Sequence, residues 1–294
     1  KLNNDGGKIE VGNASLAIES GSLTNQGGLI RHLGSQSLGM TMEQLGQAGG
    51  RIETNAQLDL QADEWVNSTE LQAGRISLDI GELTQKTGAA LLSRDSIVAK
   101  GDTWQNDGRI ETNGNLSLEL AGDYKGNGTL IAQGNLGFSA ASADMGTNAK
   151  VLAGGTSNLS TLGAWVARGQ MTAGSWLTLA AQSLKNYGTI GAGDQLSLKA
   201  ADIRSEDGFL FSGASMLLVA DRFTNQRGDV YSVGDLQFVA NEQGDAPTSF
   251  SNLSGVVESE GNIAIRAKQI TNAHEVENLV VSRKVAALFY NPDC

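Results

Sequence analysis

The sequence predicts an all-β chain wound as a parallel β-helix, a solenoid of about 13 coils with about 20 residues per coil. Three observations carry that expectation. One phrase returns along most of the chain: an apolar residue, any residue, Asn, a Gly-containing turn, Ile or Leu, a short polar segment, then Leu-x-Leu-x-Ala. Its second half alternates apolar and polar, as in "NLSLELA", "QLSLKAA", "DLQFVAN" and "NIAIRAK", the pattern of a strand with one buried face. No repeat shows an apolar stripe of period 3.6, so the helical return of a leucine-rich repeat does not fit.

The units follow in order from their leading apolar positions: Leu2, Leu23, Leu45, Trp65, Leu83, Trp104, Tyr124, Met145, Leu184, Ile203, Phe223, Phe250 and Ile270. The gap from Met145 to Leu184 is about double the usual step, which places a degraded unit around Trp165. The step from Phe223 to Phe250 carries "NEQGDAPTS", an inserted loop. The solenoid is therefore expected over 1–273, with irregular coils at 145–183 and the loop at 242–249. The tail 274–294, "HEVENLVVSRKVAALFYNPDC", leaves the repeat and is expected to cap the open end, whose strand edges would otherwise be exposed. At ~4.8 Å per coil the rod would be on the order of 60 Å long.

Most units have an amide two places after the lead: Asn4, Asn25, Asn67, Asn106, Asn186, Asn225, Asn252 and Asn272, with Gln47 and Gln85 keeping the amide. In stacked coils these share one corner. Asn tolerates the left-handed backbone of a tight turn, and stacked amides can bond to one another along the axis.

Composition removes several functions. With 21 basic and 32 acidic residues the net charge is −11, which repels phosphate backbones and argues against nucleic acid as a partner. No apolar run approaches the ~18 residues a spanning helix needs, so the chain is not expected to span a membrane. Cys294 is the single cysteine, so an internal disulfide and a Cys-rich zinc site are excluded. Residue 1 falls inside a repeat, and the chain is expected to be a piece of a longer or processed protein.

The phrases "LTNQGGLI" (23–30), "LGQAGGRIETNAQLDLQA" (45–62) and "LKNYGTIGAGDQLSLKAA" (184–201) resemble the haemagglutinin repeats of filamentous-haemagglutinin-type exoproteins. That family includes the large toxins of contact-dependent growth inhibition, and the likeness runs from Leu2 to about Asn272. The resemblance implies a right-handed parallel β-helix, exported by two-partner secretion through a partner transporter and displayed on a Gram-negative surface. It implies partners on another cell, an outer-membrane protein or a surface glycan, with toxin delivery performed elsewhere in the protein. The breaks in the repeat favour a receptor-binding, projecting segment that contacts a target bacterium, with a plain structural shaft or a host-cell adhesin as the alternative.

A recognition surface needs local variety, so candidates are sought where the rhythm breaks. Trp165 and Trp176 lie in the irregular stretch, Asp245 and Pro247 in the inserted loop. Phe209 and Phe211 flank Leu210 in "DGFLFSG", so either the pair or the Leu faces outward. Trp is favoured at interface centres, yet burial is an equally ordinary use of these rings. The aspartates 63, 102, 123, 144, 202 and 221 precede leading positions, and turn chemistry explains them without a metal. His32 and His274 are too far apart in coil number to share a metal or a relay, and no nucleophile elbow or phosphate loop is present. No catalytic residue, metal site or cofactor is expected, and the chain is read as non-enzymatic.

Overall fold

The computed structural model describes residues 1–12, 14–241 and 243–274, with the side chains of 46–48 excepted. Within them the chain is all β and contains no helix. It winds as a parallel solenoid of about 13 turns of about 20 residues. Each turn contributes three strands, as in Arg109–Thr112, Asn115–Leu120 and Tyr124–Gly126, and each strand pairs in parallel with its counterparts one turn away. Three stacked sheets result. Sheet one carries the leading apolar residue, sheet two the Ile or Leu after the corner, and sheet three the Leu-x-Leu strand. The Gln47 side chain and the tail 275–294, expected above to be a cap, lie outside the described residues.

Register makes the core. On sheet two one buried column passes Ile30, Ile52, Leu71, Leu91, Ile110, Leu130, Val151, Met171, Ile190, Leu210 and Val230. Strand alternation turns every second residue inward, and parallel stacking sets each inward residue on its counterpart. On sheet one the column passes Trp104, Tyr124, Ala143, Trp165 and Leu184, so Ala143 leads its coil where Met145 was expected. Packing gives the reason. The small Ala143 lets the rings on either side of it meet Phe138 edge-on, Tyr124 at 5.3 Å and Trp165 at 5.1 Å between centroids. The stretch 145–183 is irregular in sequence only, since it carries full strands at Lys150–Ala153, Ser157–Thr161, Ala164–Ala167, Gln170–Ala173 and Leu177–Ala180.

The corner amides form an axial ladder. The Nδ2 groups of Asn4, Asn67, Asn106, Asn186, Asn225 and Asn252 donate to the next coil: to Asn25 Oδ1 (2.6 Å), Gln85 Oε1 (3.2 Å), Tyr124 hydroxyl (3.0 Å), Ser205 Oγ (3.1 Å), Asn252 Oδ1 (2.9 Å) and Asn272 Oδ1 (2.9 Å). Asn4 and Asn252 are almost fully covered and Asn25, Asn67, Asn106, Asn186 and Asn225 completely so, and a buried amide without partners is costly. None of these Asn is left-handed. The left-handed backbone falls further round the corner, at Gly6, Gly27, Asp207, Arg227 and Ser254. The corner Asn is therefore an axial hydrogen bonder. In the middle of the rod the ladder lapses, with Gly126, Met145 and Ala167 in register below Asn186. There the Tyr124 hydroxyl takes the Asn106 amide, and its burial pushes its pKa far above the usual phenol range, so it stays neutral.

Two tests follow from the corner. Asn225→Leu should cost about 1–3 kcal/mol, because it strands Asn252 Oδ1 and leaves the Gly228 carbonyl with the Val256 N–H alone, and Asn225→Ser, copying Ser205, should cost less; equilibrium urea unfolding reads both. At the left-handed positions, Arg227 forks onto Asp207 (2.9 and 3.0 Å) and holds its carboxyl below the ordinary value. The pair's contribution is then complete above the ordinary carboxylate range and lost as pH falls through the depressed Asp207 value. Arg227→Gln should return the Asp207 titration to the ordinary range, measured by carboxylate NMR.

Candidate recognition surface

The corner between sheets two and three shapes the middle of the rod. Four glycines stack there in successive coils: Gly154, Gly174, Gly193 and Gly213. A Cβ on Gly174 or Gly193 would stand 2.1 Å from the carbonyl oxygen of the glycine one coil before, so close backbone stacking demands glycine. All four are exposed, and the result is a strip of bare backbone along the rod.

Aromatic rings border that strip. Phe209 and Phe211 point outward from sheet two while Leu210 between them is fully buried. Their rings stack at 5.4 Å between centroids, 23° from parallel. The Phe211 ring leans over Gly191 on the preceding coil, where a Cβ would collide with it. On the other side of the strip Trp176 is 53 % exposed. It stands where neighbouring coils carry polar residues such as Asn135, Thr156 and Gln195, and only its main-chain oxygen serves the fold, accepting from Ser157 N (2.8 Å).

The other candidates sit elsewhere. Trp165 is fully buried in the sheet-one column, which removes it from the exposed surface: the large ring fills the core beside Phe138. Pro247 is buried too, and its carbonyl accepts from Lys268 N (2.8 Å), stitching the inserted loop to the next coil. Asp245 is exposed and accepts from Asn241 Nδ2 (2.8 Å) within that loop, at the corner between sheets three and one. The structure therefore brings Phe209 and Phe211 to one side of the glycine strip and Trp176 to the other, and leaves Asp245 on another edge. The glycine strip was missed, although Gly154, Gly174, Gly193 and Gly213 recur at near-constant spacing in the sequence.

The polar candidates behave as turn residues. Asp123 accepts from Ser142 Oγ (2.7 Å), Asp221 from Thr248 Oγ1 (2.6 Å), and Asp144 pairs with Arg168. His32 is buried with Nδ1 3.1 Å from Thr54 Oγ1, and His274 Nδ1 lies 2.9 Å from Ser254 Oγ. Among the described residues no three His, Cys, Asp or Glu side chains are grouped to hold a metal, and no helix is long and apolar enough to cross a membrane.

No protein-family model matches the chain, and no solved structure matches it. Curated relatives do. The chain is similar to a deoxyribonuclease CdiA of Dickeya dadantii (strain 3937), 26 % identical over 336 aligned residues that cover 99 % of this chain and 10 % of that protein. It is 25 % identical to a tRNA nuclease CdiA of Escherichia coli (strain NC101), over 93 % of this chain and 11 % of the relative. A toxin CdiA of Escherichia coli is 28 % identical over 76 % of this chain and 7 % of its own length. The chain thus spans about a tenth of the length of the curated relatives it matches. Its solenoid and these relatives together bear out the resemblance read from the repeats: over nearly all its length the chain is a homologue of a segment of CdiA contact-dependent inhibition exoproteins.

Proposed function

We propose that this chain is a projecting, receptor-contacting section of a secreted exoprotein on the outer surface of a Gram-negative bacterium. It meets an outer-membrane protein of a target bacterium ahead of toxin delivery. The observation that carries this reading is the outward Phe209–Phe211 stack beside the glycine strip. A plain shaft has no use for two half-exposed stacked rings, whereas rigid aromatics beside bare backbone let a partner's main chain approach closely. Likeness to CdiA supports export by two-partner secretion through a partner transporter. The nuclease activities belong to the names of relatives of which this chain spans a tenth, and we read the segment itself as non-catalytic.

The competing reading is a purely structural shaft or a host-cell adhesin, favoured by the regular winding of about 13 turns. Binding of the fluorescently labelled chain to target bacteria, to strains each lacking one outer-membrane protein, and to host epithelial cells separates the three. We expect binding to bacteria that disappears in one deletion strain and falls at least about tenfold in a Phe209→Ser/Phe211→Ser variant. Absence of cell binding, or binding to host cells alone, would discard the receptor reading. Incubated with plasmid DNA and tRNA, the purified chain should leave both intact; cleavage would overturn the non-catalytic assignment.

A further inference from the structure

A second surface, on the N-terminal half, is built differently. Coil three passes from Thr54 to Gln57 through Asn55 and Ala56, and the coil after next passes from Ser93 to Ser96 through Arg94 and Asp95. The coil between has Gly74 alone between Ala73 and Arg75. Gly74 is buried; its N–H donates to Ala56 O (2.9 Å) and its carbonyl accepts from Ser93 Oγ (2.9 Å). A Cβ there would lie 2.3 Å from the Asn55 carbonyl oxygen. The shortened corner is thus held inward at Gly74, and it leaves a notch across the rod. The notch opens into a groove of about 800 Å³ that runs along sheet two.

The charge in this groove opposes that of the chain. Four arginines line it, Arg31, Arg51, Arg94 and Arg109, against the carboxylates of Glu53 and Glu111, in a protein of net charge −11. Arg31 and Arg51 both close on Glu53 at 2.8 Å, so one carboxylate serves two guanidinium groups at that distance. Their other carboxylate contacts, to Glu10 and Glu70, are longer, 3.6 and 3.7 Å. Arg94 forks onto Asp95 (3.0 and 3.2 Å) and Arg109 onto Glu111 (3.1 and 3.2 Å). Exposed pairs of this kind are worth about 0–1 kcal/mol, and each fork uses only part of the donor set of a planar guanidinium, which leaves N–H groups for an added oxyanion. The remaining lining suits a sugar. Asn55, Gln72 and Asn113 offer amides for hydroxyl groups, and Leu33 and Leu92 offer apolar contact for ring C–H faces. Among the described residues no Phe, Tyr or Trp lines the groove, and the His32 ring on its wall is fully buried with Nδ1 3.1 Å from Thr54 Oγ1, so the groove lacks the exposed stacking platform that single-stranded nucleic acid requires.

We propose that the Gly74 groove binds an acidic polysaccharide, a sugar chain bearing carboxylate or phosphate groups. This site is separate from the aromatic border and does not rest on the receptor reading. The test is titration calorimetry of the full chain with three probes: oligogalacturonate for carboxylate, phosphorylated lipopolysaccharide core oligosaccharide for phosphate, and dextran oligomers as the neutral control. We expect one or both acidic probes to bind at least about tenfold more tightly than dextran, and more weakly as salt rises. Arg94→Gln/Arg109→Gln should lose at least about tenfold in affinity for the acidic probe. Replacing Gly74 by an Asn-Ala pair, to restore the usual corner, should do the same; circular dichroism verifies each fold, and the arginine variant decides the matter if the insertion fails to fold. Phe209→Ser/Phe211→Ser should leave sugar affinity unchanged, which separates this outcome from that of the cell-binding experiment. Equal affinity for dextran, no acidic binding by the native chain, or an arginine variant that binds as before would overturn the proposal.

Discussion

The structure depends on coils stacking in register, with backbone hydrogen bonds running along the axis at the ~4.8 Å spacing of paired strands. Once that spacing is imposed, a residue has only two principal neighbours in its environment, its counterparts above and below. Apolar columns follow at once, since an inward residue meets the inward residue of the next coil, as Leu159 meets Leu179 and Met171 meets Ile190. The same constraint lets a buried amide find its partner in the counterpart one coil away. Asn225 is covered because its amide reaches Asn252, and Asn252 in turn reaches Asn272.

Substitutions in a column are therefore read in pairs. Ser205 ends the Asn186 bond as well as an amide would, and the Tyr124 hydroxyl does so for Asn106 from a neighbouring column. Ala143 is acceptable in a line of large residues because the rings of Tyr124 and Trp165 close over Phe138. Packing of this kind preserves density while allowing the sequence to drift. It also explains how 145–183 keeps its winding although it abandons the repeat phrase.

Corners are less constrained than strands, and the distinctive surfaces arise there. A corner can shed residues, as at Gly74, and the rod gains a notch lined by arginines from adjacent coils. It can be reduced to glycine over successive coils, and the backbone is laid bare beside Phe211 and Trp176. It can also be lengthened, as between Val239 and Ser249, where Pro247 ties the added residues back to Lys268. Each device changes the outside of the rod while the buried columns continue unbroken.

Much of this was legible in the sequence because solenoid environments repeat. Period two gave the strands, the return of Leu-x-Leu gave the coil, and Asn two places after most leads marked the axial ladder. Ile110, Leu116, Leu118 and Leu120 are all buried, as alternation alone requires. The candidate surface was less legible. Whether Leu210 or the Phe209–Phe211 pair faced the core depended on the register of that strand against Ile190 and Val230. Trp165 and Trp176 lie close in sequence, yet one fills the core and the other a corner, and only the position of each within its coil separates them. Repetition thus determined the fold from the sequence by itself. Exposure, the glycine strip and the arginine groove required tertiary structure, because each is made by residues about one coil apart that become neighbours only when the coils stack.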